Sequence, residues 1–343
     1  MRFLRRFLLA AATVLVCQVA RGDATLLVQE PYGLFGAINP TGHASVYLSR
    51  VCAETPILLK RCSAGEFGVV ISRYSKIGEY DWIAIPLIPY LYAVENLANV
   101  PEHPNAEAVA ALRDEYRHKR LGGIVPDRPD GKAPKGSWVE LVGAAYNRKL
   151  YGFTIATTEM QDNELISAFN ARKNKSHFNL FYNNCADFSR KILNAYYPGA
   201  IRRNYVADAG MTTPQQIVKC LLSYSKRHPE FTVSSFFLSQ IAGSRRPSHR
   251  LDGVSEGFVR SKKYIVPLAL FHPWVAGSIF AIYVANGRFN VAQHATKKYA
   301  PADLALMQEW SGCCEPEVSS ELVPNRGRVM EAEQSYDFPE SID

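Results

Sequence analysis

No C-x-x-C pair occurs in the 343 residues, and no segment recurs at a fixed period. The first absence removes the spacing that a structural zinc site or a dithiol redox motif requires. The second removes solenoids and propellers, whose units bury their apolar faces only against copies of themselves. Collagen-like and coiled-coil periods are lacking too. With 47% of residues hydrophobic and 21% charged, the chain carries enough apolar material for one sizeable core and an appendage. No recognised nucleic-acid-binding motif is present, and part of the formal charge of +7 belongs to Arg2, Arg5 and Arg6 at the start of the chain. Nucleic acid is therefore not an expected partner.

Those arginines precede an almost wholly apolar run from Phe7 to Val16, with small residues following at Ala20 and Gly22. This is the layout of a secretory signal peptide, expected over residues 1–22, with an uncleaved anchor as the alternative. Export to the periplasm or cell envelope follows, into a compartment where thiols are oxidised. Cys52 and Cys62 flank a proline-containing connection between two strand-like stretches. A disulfide across that loop is expected, against the alternative of two buried free thiols.

Strand-like stretches are expected at Ala24 to Gln29, His43 to Leu48 and Phe67 to Tyr74. The apolar run from Asp81 to Tyr92 contains Pro86 and Pro89, which argue against a regular central strand or helix there and for a segment that lines a groove or packs beneath one. Helical spacing runs from Ala106 to Lys119, and Leu121 to Gly136 reads as a long binding loop or lid. Leu150 to Ala156 reads as a strand. Thr158 followed by Gln161 is a capping box for a helix from Glu159 to Ala171. Pro214 opens a further helix. Residues 201–263 are expected to be a helical and basic linker region, whose Arg245, Arg246, Arg250, Arg260, Lys262 and Lys263 either meet anionic lipid headgroups or are simply solvated. Residues 264–285 are apolar and long enough for a membrane span. Asn286-Gly287 supports the competing reading, a buried β-hairpin. Residues 286–343 are expected to form an acidic, largely disordered tail.

Two segments carry candidate chemistry. Thr41-Gly42-His43-Ala44-Ser45-Val46-Tyr47-Leu48 reads as a strand entered through glycine with a histidine at its mouth. From His177 to Asn184 an apolar stretch, read as a strand, ends at an asparagine pair, and helical spacing begins at Cys185. Cys185 would sit in the first turn of a helix capped by Asn184, where unpaired amides and the helix dipole favour thiolate over thiol. Asp187 would support that helix start by its charge.

These segments resemble the circularly permuted papain-like cysteine hydrolases, the group that includes NlpC-type envelope amidases and lecithin-retinol-acyltransferase-like enzymes. The resemblance spans residues 26–198 and implies a bacterial envelope branch. It implies an α+β fold, with an antiparallel sheet packed on the cysteine helix, in a domain covering residues 23–200. It also implies a Cys185–His43 pair that cleaves or transfers acyl groups through a thioester, without a cofactor or metal. Such enzymes carry a third polar residue on the strand after the histidine. Phe67 to Tyr74 offers Ser72 or Tyr74 there and no His, Asn or Gln. Helix-start amides would meet the oxyanion, with Tyr182 or Asn184 assisting. The expected substrates are envelope peptides, glycopeptides or lipids, with membrane association through the apolar segment. The alternatives are a catalytically inactive papain-like protein that binds glycan, peptide or lipid, and a membrane-tethered scaffold.

Overall fold

The computed structural model describes residues 21–33, 40–75, 77–175 and 178–304. The expected leader lies outside them except for Arg21 and Gly22, as does the tail from residue 305 onward. In chain order, β1 (Arg21–Gln29), β2 (His43–Leu48), β3 (Val51–Thr55), β4 (Leu58–Arg61), β5 (Val69–Arg73) and β6 (Trp82–Pro86) lead into α1 (Leu87–Tyr92), α2 (Ala106–Tyr116) and α3 (Trp138–Leu141). There follow β7 (Leu150–Thr158), α4 (Glu159–Ala171), α5 (Cys185–Tyr196), α6 (Pro214–Arg227), β8 (Ser234–Leu238), α7 (Val254–Arg260), α8 (Lys262–Phe271), α9 (Pro273–Ile282) and β9 (Lys298–Tyr299).

Seven strands form one sheet in the order β6-β5-β2-β1-β7-β8-β9, antiparallel throughout except for the short parallel β8–β9 pair. Period-two alternation divides its side chains between two cores. Ala24, Leu26, Val28, Val46 and Ile71 face α4, α5 and α6, meeting Phe169, Phe188, Ile192 and Leu221. Leu27, Tyr47, Val70 and Ile85 face the opposite way and pack with α1 and Tyr146. Both faces are covered, so β2 and β5 are buried along their whole length. Each large apolar side chain buried in this way contributes roughly 1.5–3 kcal/mol. The fold is thus α+β with the cysteine helix packed on the sheet.

Several expectations need correction. The Asp81–Tyr92 run holds no central strand, since β6 lies at the sheet edge and Pro86 ends it where a missing ladder donor is tolerated, but it does hold a helix, α1, with Pro89 in its first turn. Among the described residues 178–184, which lead directly into Cys185, there is no strand. Asn179 Oδ1 accepts the amides of Phe181 and Tyr182 and folds residues 179–183 into a tight turn with one Asn179–Asn183 bridge. Residues 201–263 are built into the domain rather than leading away from it, since Ile217, Val218 and Leu221 join the first core and β8 pairs with β7. Residues 264–285 do not form a buried β-hairpin. They form α8 and α9, broken at His272 before Pro273, and Asn286-Gly287 ends the second helix rather than turning two strands. No helix among the described residues is long and apolar enough to cross a membrane. The start of the expected tail is ordered, with β9 paired to β8.

Cys52 and Cys62 are disulfide-bonded across the β3–β4 ribbon, with Cα atoms 4.8 Å apart. The ribbon lies along the outer side of β6, where the Ala84 amide donates to Pro56 O at 2.8 Å. Asn174 occupies the next outward position: its Oδ1 accepts the Trp82 amide and its Nδ2 donates to Trp82 O. Closing a loop of this length should stabilise the fold by about 3 kcal/mol in the chain-entropy account. Cys52→Ala/Cys62→Ala should therefore melt on the order of 10 °C lower than the parent. If melting curves of parent and variant superimpose without reductant, the bridge contributes nothing.

Candidate active site

Gly42 takes a φ of +72°, and a Cβ at this position would fall on the carbonyl oxygen of Gln29 in β1. Only glycine can turn the chain into β2 at that point. His43, the first residue of β2, is 3% exposed. Its ring lies against Tyr74, with 5.7 Å between centroids. Ser72, on neighbouring β5, places Oγ 3.2 Å from His43 Nε2 and donates its single proton to Ala44 O at 2.7 Å. With that proton committed, Ser72 can only accept from Nε2–H. The arrangement fixes the tautomer and leaves Nδ1 as the basic nitrogen. Ser72 is thus the β5 side chain within hydrogen-bond reach of the imidazole, and Tyr74 lies along the face of its ring.

Cys185 opens α5, an amphipathic helix whose Phe188, Ile192 and Leu193 face the sheet. Asn184 is its N-cap, with Oδ1 accepting the Asp187 amide at 2.8 Å and Nδ2 donating to Leu180 O and Thr212 O. Every polar group of the Asn184 side chain is thereby engaged in shaping the helix start. Asp187 is fully buried and accepts from Thr212 Oγ1 and Arg203 Nη2, each at 2.6 Å, with Arg190 Nε 3.6 Å away. Its charge therefore pins the helix start from beneath. Arg73, fully buried at the end of β5, reaches Asp81 through Nε and Nη2 and Asn183 through Nη1, so the turn before Cys185 is tied to the sheet.

His43 and Cys185 line one cavity of about 490 Å³, together with Tyr32, Trp138, Glu140, Leu180, Asn184 and Thr212. The amides of Ala44 and Ala186 donate toward the sulfur. The sulfur therefore lies at the mouth of β2, beside the residue that follows His43. Tyr182 is 64% exposed, and its ring stands 6.0 Å from the Arg203 guanidinium rather than in the cavity lining.

Two charged residues complete the site and carried no signal in the sequence. Glu140, on the single turn of α3, places Oε2 3.6 Å from His43 Nδ1. Arg148, 1% exposed, holds Nη2 3.5 Å from Glu140 Oε1 and lies 4.3 Å over the Tyr32 ring. Neither stands at a regular spacing from His43 or Cys185, so only the fold brings them together. The long loop ending at Gly136 was the nearest hint, since Glu140 follows it.

The electrostatics reverse one expectation. A cysteine in the first turn of a helix was expected to be acidic, yet burial pushes the Cys185 thiol up to about 12, and the Glu140 carboxylate adds to the rise. The amides of Ala44 and Ala186 act in the other direction and are outweighed. Burial also brings His43 down to about 4, with Glu140 raising it and Arg148 lowering it. The resting pair is a neutral thiol and a neutral imidazole. Cys185 is only half-buried as a residue, so a ligand in the cavity can reach it.

Comparison of the chain with family models, with curated proteins and with solved structures found no match in any of the three.

Proposed function

We propose that this chain is a thiol hydrolase or acyltransferase of permuted papain-like architecture, acting on amide or ester bonds of the cell envelope. The observation that carries the proposal is the meeting of Cys185 and His43 in one cavity, with Ser72 fixing Nδ1 as the proton acceptor. Sulfur attacks the carbonyl as the thiol proton passes to Nδ1. The carbon–sulfur bond forms, and the carbonyl π pair moves onto oxygen near the first-turn amides of α5. Glu140, 3.6 Å from Nδ1, stabilises the imidazolium thus made. Collapse of the tetrahedral adduct expels amine or alcohol, which takes the proton from Nδ1 and leaves a thioester. Water, or an acceptor alcohol or amine, then attacks the thioester while His43 again accepts a proton. Collapse breaks the carbon–sulfur bond, the Cys185 sulfur takes that proton back, and the acyl group leaves as acid, ester or amide. The Cys52–Cys62 disulfide is compatible with export.

The test uses an acyloxymethyl ketone probe, whose methylene carbon alkylates a reactive cysteine as the carboxylate leaves, followed by peptide mapping. Cys185 should take the label in preference to Cys220, the other free thiol among the described residues. Equal labelling of the two would remove the nucleophile from the proposal.

One observation favours a second reading, an inactive papain-like protein that binds envelope glycan, peptide or lipid. With the thiol up at about 12 and the imidazole down at about 4, neither group is charged at rest. Under that reading the wild type captures ligand without turning it over, and Cys185→Ala binds equally well.

A further inference from the structure

Helices α8 and α9 fold back on each other at His272 and stand away from the domain. Ala276 is the one buried side chain in the two helices, whereas Val266, Leu270, Phe271, Trp274, Val275 and Phe280 are exposed. At the tip, Phe271 is 78% and Trp274 88% exposed. So much exposed apolar surface marks an interaction face. Each helix has ten residues and so reaches about 15 Å, close to half of a hydrocarbon core of about 30 Å. The pair is too short to span a bilayer and long enough to occupy one leaflet.

The base of the hairpin differs from its tip. Tyr264 and Tyr283 lie at the two ends, flanked by Arg260, Lys262, Lys263 and Arg288. No acidic residue occurs between Glu256 and Asp303. Lys262 and Lys263 have no carboxylate partner among the described residues, although Arg260 pairs with Asp252 and Glu256. Lys219 Nζ donates to Asn286 O at 2.7 Å, which fastens the base to α6. An apolar tip, an aromatic ring at the base and unpaired cations beside it match the depth profile of a leaflet with anionic headgroups. Two copies meeting through this surface would bring like charges together.

We infer that the α8–α9 hairpin inserts into one leaflet of an anionic membrane and docks the domain there. Docking also turns a second cavity toward the headgroups. This cavity, about 680 Å³, is lined by Phe258, Arg260 and Tyr264 at the hairpin base and shares Thr41, Leu180, Asn184 and Thr212 with the cysteine cavity. If the proposed chemistry at Cys185 holds, docking brings a membrane-borne substrate to a cavity that adjoins the one holding the sulfur. The docking itself does not depend on that chemistry.

The experiment uses the full chain with phosphatidylcholine vesicles, with and without phosphatidylglycerol, that carry brominated acyl chains to quench tryptophan. Quenching should occur with the anionic vesicles and fall by more than half in Trp274→Phe, which removes the reporter and keeps an apolar tip. Phe271→Asp/Trp274→Asp should weaken partitioning at least tenfold. Lys262→Glu/Lys263→Glu should weaken it on the order of tenfold, for anionic vesicles at low salt only. The leader's apolar run is common to all variants and cannot produce these differences. Quenching retained in Trp274→Phe, or partitioning unchanged in the tip variant, overturns the inference. So does sedimentation showing a dimer that the tip variant dissociates, which would make the hairpin a contact between copies.

Discussion

His43→Ala should lower kcat/KM by about 10²–10⁴-fold, the range of a positioned general base, and should change the shape of the pH profile as well as its height. Under the proposed chemistry, attack in the parent needs a neutral imidazole and a protonated thiol. Burial sets these limits near pH 4 and pH 12, so the parent rate should be flat between about pH 5 and pH 10. Without the base, only the small thiolate fraction reacts, and that fraction grows tenfold per pH unit up to about 12. The variant should therefore rise with unit slope where the parent is level. A pre-formed thiolate–imidazolium pair predicts something else, fast alkylation of the parent at pH 6 and an alkaline loss as the imidazolium deprotonates. Alkylation rates of both proteins from pH 5 to pH 10 separate the two mechanisms. A parallel rise in parent and variant would show that His43 takes no part.

Arg73→Ala should cost about 3–5 kcal/mol, the range for leaving a buried charge without its partner. Arg73 is fully buried and its guanidinium holds both Asp81 oxygens, so truncation strands a carboxylate in a largely dry site. The same change removes the Arg73–Asn183 hydrogen bond, two residues before Cys185, and the cation lying 5.3 Å over the Phe188 ring. Denaturant unfolding of Arg73→Ala measures the cost. Arg73→Met/Asp81→Leu should recover most of it, because both charges are then gone. A cost below about 1 kcal/mol for Arg73→Ala would mean that solvent reaches Asp81 freely enough to replace the partner.

The sequence was most legible where a local rule and the core made the same demand. The six residues of β2 have the expected bounds because a glycine entrance and a β-branched, aromatic run both define them. Helix α4 starts and stops as expected because the Thr158–Gln161 capping box acts within four residues. The Asn184 cap and Cys185 at the start of α5 are legible for the same reason. Ser72 and Tyr74 were the two candidates, and both touch the imidazole: Ser72 through its hydroxyl, 3.2 Å from Nε2, and Tyr74 through its ring face. Glu140 and Arg148 were not legible, since their closeness to His43 comes from loops meeting in space. The thiol's direction was misread because helix-end amides are local, whereas desolvation depends on everything packed around the sulfur. In residues 178–183, apolar composition suggested a strand, but the Asn179 side chain offered the backbone a competing turn.

The ribbon beside β6 has a consequence for how copies of this chain behave near one another. An uncovered edge strand offers a row of amides and carbonyls on which a second sheet can grow. On β6 the outward amide of Ala84 is taken by Pro56, and both outward groups of Trp82 are taken by Asn174. The Cys52–Cys62 link keeps the blocking ribbon closed, so the bridge guards this edge against template-driven polymerisation even when the protein is concentrated on a surface.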